Sequence, residues 1–250
     1  MGNPVNFYSR PPTVDINTLL YISFEGNNGD TNFTDLTGRH TITANGAVQI
    51  DISQFAFGLS SGLFDGNRDY LSIPDSTDFT MTSGGDFSLR CFVKLVTLPT
   101  EGETNFIMSQ VDEPTSNFWL FDIGKSGGNF YLNFQAIAGA NQYTGESVIA
   151  GGISADTWYS VAFVKNGLFM EYWFDNNLIE NRAITNPNCF SDKTAEVRIG
   201  VFTTTGATHN DFNGWIDELD WSLIVRTPGG QPVNFYSRAD SQPVNFYSLP

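Results

Sequence analysis

The sequence is short of cysteine, histidine and positive charge. Two cysteines, Cys91 and Cys189, are too few to staple a chain of 250 residues. One disulfide between them is open, but Cys91 sits in an alternating stretch and reads as a small buried hydrophobe. Only His40 and His209 could act as imidazole bases, and each lies in a polar stretch that reads as surface. Twelve Lys and Arg against 27 Asp and Glu leave a net charge of −15 and a pI near 4.2. Such a surface repels phosphate backbones and anionic lipid, so nucleic acid and membrane are excluded as partners, while divalent cations suit it. No run of about 18 apolar residues exists, so no spanning helix is expected. No basic and then apolar leader opens the chain, so no secretion signal is expected and the chain is expected to be made in a cytoplasm. Met1-Gly2 fails as a myristoylation signal because position 6 is Asn. Without secretion, the sequon at Asn32 is idle.

What is abundant is aromatic and turn-forming. Phe numbers 22 and Gly 24. Helical periodicity is nearly absent, and short β-type runs recur between Gly, Asn and Asp. In DFSLRCFVKLV, residues Phe87, Leu89, Cys91, Val93 and Leu95 share one face. Asn166-Gly167 is a strong hairpin signal and Asn176-Asn177 a second tight turn. Some 11–14 strands are expected between residues 14 and 226. Many carry aromatics on both faces, which two packed antiparallel sheets explain better than one. The expectation is an all-β, two-sheet sandwich over 14–226. Arms rich in Pro, Asn, Ser and Gly lie at 1–13 and 227–250.

Five segments in order resemble the laminin G-like, concanavalin A-like jelly rolls. They are LLYISFEGNNGDTNFTDLTGRHTITANG, GLFDGNRDYLSIPDSTDF, GDFSLRCFVKL, TWYSVAFVKNGLFMEYWFDNNLIE and VRIGVF with FNGWIDELDWS. Cys91 stands where that family often has Trp. The resemblance covers about 200 residues and is nearest to the copies of this domain in bacteriophage structural proteins. It implies a two-sheet antiparallel jelly roll. It also implies a structural calcium near the closing strand, with Asp217 as ligand, joined by Glu25 or Asp35 and backbone carbonyls.

The residues themselves leave alternatives. In a regular strand Trp215, Asp217, Leu219 and Trp221 share a face, which puts a carboxylate in an apolar stripe. Asp217 then holds a metal, pairs with an arginine or caps a turn. Asp65, Asn67 and Asp69 offer alternate oxygens for a second calcium, or form a β-turn that satisfies its own backbone. Related glucanases place acids as Glu-x-Asp-x-Glu on one strand. Here Glu218 and Asp220 share a face without a third acid, Asp217 points away, and Glu101 and Glu103 lie in a loop. No catalytic residue is assigned, and the chain is expected to be a non-enzyme. Trp119, Tyr131, Tyr143 and Trp173 are candidate glycan contacts on the second face of their strands; the alternative is core packing.

The word PVNFYS occurs at 4–9, 232–237 and 243–248. Its proline sets an extended start, and Val, Phe and Ser alternate with Asn and Tyr, a strand-like period. Exposed aromatics call for cover. The anchoring candidates are Pro4, Val5, Phe7 and Tyr8; Pro232, Val233, Phe235 and Tyr236; and Pro243, Val244, Phe246 and Tyr247. The C-terminal pair repeats every 11 residues, a spacing of roughly 36 Å when extended, which suits equal docking sites on a polymeric shell. The expectation is a virion accessory protein, a capsid decoration or fibre or tail component. Its arms would clamp it to a capsid or tail protein, and a lectin-like knob, in a homo-oligomer such as a trimer, would touch host glycans. The competing expectations are a stand-alone glycan-binding module, a divergent glycosidase, and words that are mere linker remnants.

Overall fold

A computed structural model describes residues 14–112, 117–203 and 211–227. Fifteen strands are named in chain order. The first five are β1 (Thr18–Ile22), β2 (Thr43–Asn45), β3 (Gln49–Asp51), β4 (Ser61–Asp65) and β5 (Tyr70–Ile73). Then come β6 (Phe87–Leu95), β7 (Thr104–Asp112), β8 (Asn117–Ser126), β9 (Asn129–Ala138) and β10 (Asn141–Val148). Last are β11 (Trp158–Asn166), β12 (Phe169–Phe174), β13 (Asn177–Ala183), β14 (Val197–Ile199) and β15 (Asn213–Ser222). All pair antiparallel. One sheet runs β13-β12-β11-β6-β15-β4-β3, with β1 also against β15; the other runs β10-β9-β8-β7-β14-β5-β2. This is the expected two-sheet jelly roll.

The alternation along β6 directs the first sheet. Phe87, Leu89, Cys91, Val93 and Leu95 all enter the core between the sheets. Arg90, Phe92 and Lys94 face outward. The core is aromatic. Trp221 stacks on Trp119 with ring centroids 5.8 Å apart and planes 4° apart, and Phe87 lies 5.3 Å from Trp221. Phe121 and Phe134 stack at 4.8 Å. Cys91 and Cys189 are both free and buried, without a disulfide.

Two turns refine the expectations. Gly167 takes a positive φ in the β11–β12 hairpin. The β12–β13 turn instead uses Asp175 and Asn176, with φ of 46° and 61°, and Asn177 already belongs to β13. Both residue types tolerate the left-handed region, so the turn slides by one residue.

The two ends of the described chain meet. Thr18 pairs with Ser222 across β1 and β15, and Arg226 binds Asp15 and donates to the Thr18 hydroxyl at 3.1 Å. The PVNFYS words lie outside the described residues.

Candidate functional site: a carboxylate cluster behind an aromatic pocket

The closing strand is not regular. Its register against β6 shifts between Asp217 and Asp220, and Glu218 takes φ 52°. This bulge inserts a residue and swaps faces. Ile216 before it and Leu219 and Trp221 after it all enter the core. Trp215 and Asp217 therefore do not share a face with Leu219 and Trp221, as a regular strand would require. Asp217 lies opposite Phe92, and Asp220 opposite Arg90, both on the outer face. Glu218 accepts a hydrogen bond from the Tyr21 hydroxyl, and Arg90 binds Asp220. The bulge thus gathers Asp217, Glu218 and Asp220 on one side, where separate faces were expected.

A loop at 52–59 lies over them. Ala56 N and Phe57 N donate to Asp217 Oδ2 at 2.9 and 3.0 Å. Leu59 N donates to Glu25 Oε1 at 3.0 Å. Gly58 has a positive φ, and a Cβ there would collide with the Glu25 carboxylate. Asp217 Oδ1 is buried and has no hydrogen-bond partner. Burial, then the neighbouring Glu218 and Glu25, push the Asp217 carboxyl well above the usual range. Burial also pushes Glu218 up to about 7, with Glu25 and Asp220 adding repulsion. Glu25 is raised by burial as well.

Asp217 and Glu25 both bond the 52–59 loop, and Glu25 repels the Asp217 charge, whereas Asp35 is engaged elsewhere. Its oxygens accept from Thr37 N, the Thr37 hydroxyl, Arg39 N and His40 N, which close the turn after it, and from Tyr21 N on β1. Asp65, Asn67 and Asp69 follow the turn alternative. Asn67 N donates to Asp65 Oδ1 at 2.8 Å, and Asp65 N to Asp69 Oδ2 at 2.8 Å. Among the described residues, no three or more His, Cys, Asp or Glu side chains form a group that could hold a metal ion. A cation beside Asp217 Oδ1 would therefore draw on backbone carbonyls besides Asp217 and Glu25. Both Asp217 and Glu218 are buried, Asp217 completely. His40 is not a surface residue: its ring packs on Phe79 at 4.8 Å.

In front of the same loop opens a pocket of about 350 Å³. The Phe55, Ala56 and Phe57 segment forms one wall; Phe92, Trp158 and Ser160 form the floor; the Asp175-Asn176 turn closes the rim. Phe57 and Phe92 pack at 4.9 Å. Ser160 N donates to Asp175 Oδ1 at 3.1 Å, which pins the rim. The loop that Asp217 holds from behind is thus the wall of the pocket. Sequence reasoning missed these residues because they come from four separated segments.

The expected glycan contacts fare differently. Trp119 is core, with its indole N–H on Gln110 at 2.8 Å. Tyr143 is buried with its hydroxyl 3.4 Å from that of Tyr172. Tyr131 is buried against Gly124. Only Trp173 stays half-exposed, on the outer face, its N–H bonded to Glu171. The face opposite the aromatics expected to be core is, in β8 and β10, the core face itself.

Another buried acid, Asp122, lies in the other sheet. Asp122 faces away from the core on β8 and accepts from Asn133 Nδ2 at 2.8 Å. Asp122 Oδ1 and Asn133 Oδ1 have no partner. Burial pushes Asp122 up to about 8. Its folded value exceeds its unfolded one, so between about pH 4 and 8 the folded chain holds a proton that the unfolded chain has lost. Stability therefore falls as pH rises through that window, by at most about 1.4 kcal/mol per unit for one proton. Asp122→Asn should flatten that part of the slope, read as urea midpoints at pH 5 to 9; an unchanged slope would contradict it.

A family model described as the concanavalin A-like lectin/glucanases superfamily matches residues 65–229. No curated protein sequence matches the chain significantly. Among solved structures, domain 4 of AbnA, a GH43 extracellular arabinanase from Geobacillus stearothermophilus in complex with arabinotriose, is similar with a TM-score of 0.61 and 19% identity. That match covers 84% of this chain and 94% of that one. The binding domain of Paraclostridial Mosquitocidal Protein 1 is similar at 0.62 and 13%, covering 85% of this chain and 50% of that one. The binding domain of botulinum neurotoxin DC in complex with SialylT is similar at 0.58 and 14%, covering 85% and 49%. The chain spans about half the length of those two toxin structures. The ordered strands, the sandwich core and the span of the family match carry one conclusion: this chain belongs to the concanavalin A-like lectin/glucanase superfamily.

Proposed function

We propose that this chain is a non-catalytic accessory protein of a bacteriophage virion, a jelly-roll knob attached to a capsid or tail protein by its PVNFYS arms. The observation that carries this is where the arms begin. Asp15 and Arg226 pair beside the Thr18–Ser222 rung, so both arms leave one corner of the knob, each bearing the same uncharged aromatic word. Two arms from one corner suit a tether. Calcium, held by Asp217 and Glu25 with backbone carbonyls, would be structural: it would satisfy Asp217 Oδ1 and screen the buried carboxylates. The test is capture of particles by an immobilised QPVNFYSR peptide, residues 231–238, against a scrambled control. Specific retention is expected; equal retention by both peptides would reject the arms as anchors.

A second reading is a glycan-binding module. The neighbours in complex with arabinotriose and with SialylT favour it. A glycan array probed with the full chain decides it, since a stand-alone lectin must give saturable signals that a tethered structural knob need not give.

A further inference from the structure

We infer that the outer face of the second sheet carries a calcium site of its own, formed by Asp122, Asn133 and Glu146. It lies in the other sheet from Asp217 on β15 and shares no residue with the cluster there.

The three residues form one row across the sheet. Asp122 on β8 stands opposite Asn133 on β9, and Asn133 stands opposite Glu146 on β10. Phe121, Ile123, Leu132 and Phe134, the chain neighbours of the first two, all enter the core. Asp122 and Asn133 therefore point outward, and Glu146 beside them is exposed. Adjacent strands lie about 4.8 Å apart, so the backbones of the two acids are about 10 Å apart with the amide between them. Tyr131 borders the row. Its hydroxyl lies over Gly124, where a Cβ would collide with it. The charges of Asp122 and Glu146 both act on that hydroxyl, and so does Glu101.

The row has acceptors in excess of donors. Asp122 is 1% and Asn133 3% exposed, and the Oδ1 of each is buried without a hydrogen-bond partner. Their mutual bond turns the Asn133 amide nitrogen to Asp122 Oδ2, which leaves the amide oxygen as a ligand atom. Among the described residues, the charge that acts on Asp122 is that of Glu146, which repels it. Buried acceptors beside like charges ask for positive charge as well as for a bond. A water would supply the bond alone. A divalent ion supplies both, since its two charges balance the two carboxylates. Calcium takes about six to eight oxygens at about 2.3–2.6 Å in loose geometry, which suits ligands fixed on three strands better than the near-ideal octahedron of magnesium. Water completes the shell. Glu146 alone presses on Asp122, whereas Glu218 and Glu25 press on Asp217. The site is therefore the weaker of the two, with a Kd of about 0.1–1 mM, and it fills after the one at Asp217.

The experiment titrates calcium into the metal-stripped full chain by calorimetry, at constant ionic strength and pH 8.5, above the value of about 8 to which Asp122 is raised. It uses the Asp217→Asn background, so that the ion proposed there does not mask this one. The expected result is one saturable calcium per chain, with magnesium binding much more weakly. Adding Glu146→Gln, a change at an exposed residue, should weaken calcium about tenfold or more. Adding Asp122→Asn should remove the binding. Glu196→Gln, which takes away a surface acid elsewhere, should leave it unchanged. Circular dichroism and melting confirm that each variant is folded. Absence of saturable binding in the Asp217→Asn background overturns the inference and leaves the buried oxygens to water or to the proton of Asp122, while calcium at Asp217 stands or falls by its own test. Binding that either Glu146→Gln or Asp122→Asn leaves unchanged also overturns it. So does an equal loss in Glu196→Gln, which would reduce the effect to general surface charge.

Discussion

Replacing Trp221 by alanine should lower stability by about 3–5 kcal/mol, the usual cost of truncating a buried Trp. Trp221 is fully buried, stacks on Trp119 and Phe87, and donates to the Asp78 carbonyl at 2.9 Å. The substitution opens a cavity at the centre of the aromatic cluster and strands a buried acceptor. Domains have only about 5–15 kcal/mol in total, so much of the margin goes. A melting-point drop of about 6–20 °C is expected at this size, and the urea midpoint should fall with little change in slope. Trp119→Ala should behave similarly. A well-folded Trp119→Ala that loses only ligand binding would contradict its place in the core.

Calcium should stabilise the protein at pH 7.5 and do much less at pH 5. Asp217, Glu218 and Glu25 are all raised carboxyls. The folded state therefore keeps protons that the unfolded state has lost. Without metal, stability should fall as pH climbs from about 4.5 through 7, the value to which Glu218 is raised. A divalent cation binds the ionised form and replaces those protons. At a hundredfold excess over Kd, linkage contributes about 2.7 kcal/mol, or about 5–10 °C in melting temperature. Asp217→Asn should erase most of this response and leave the metal-free protein no less stable, since it replaces a carboxyl whose ionised form is disfavoured by burial and by its acidic neighbours. A wild type indifferent to calcium at pH 7.5, or a variant that responds equally, would remove the ion from this place.

Much of the fold could be read from residue order because alternation and turn chemistry are local. Phe87 to Leu95 alternate as a half-buried strand must, and Asn166-Gly167 is a hairpin wherever two strands flank it. The bulge at Glu218 left no such mark. A glutamate with positive φ has no sequence signature, and one inserted residue reverses every face assignment before it. That is why Asp217 read as a core-facing acid. Trp119 and Tyr143 read as second-face residues because β8 and β10 carry large side chains on both faces, and only the opposing sheet decides which face is inside. The family resemblance named Asp217 with Glu25 or Asp35, and of these Asp217 and Glu25 bond the loop at 52–59. The pocket was not, since residues 55–57, 92, 158–160 and 175–176 meet only through tertiary pairing.

The corner shared by Asp15 and Arg226 has a mechanical consequence. β1 and β15 are antiparallel, with the start of one beside the end of the other. If both arms are held on one support, drag on the knob loads them in parallel, and the β1–β15 ladder carries almost no differential force. Pulling the two ends apart instead opens that ladder from Thr18 inward, one rung at a time, a weak direction for any sheet. A knob tethered in this way withstands being towed and yields to being split. Under load its failure would begin at the Arg226–Asp15 pair and the Thr18–Ser222 rung, leaving the aromatic core for last.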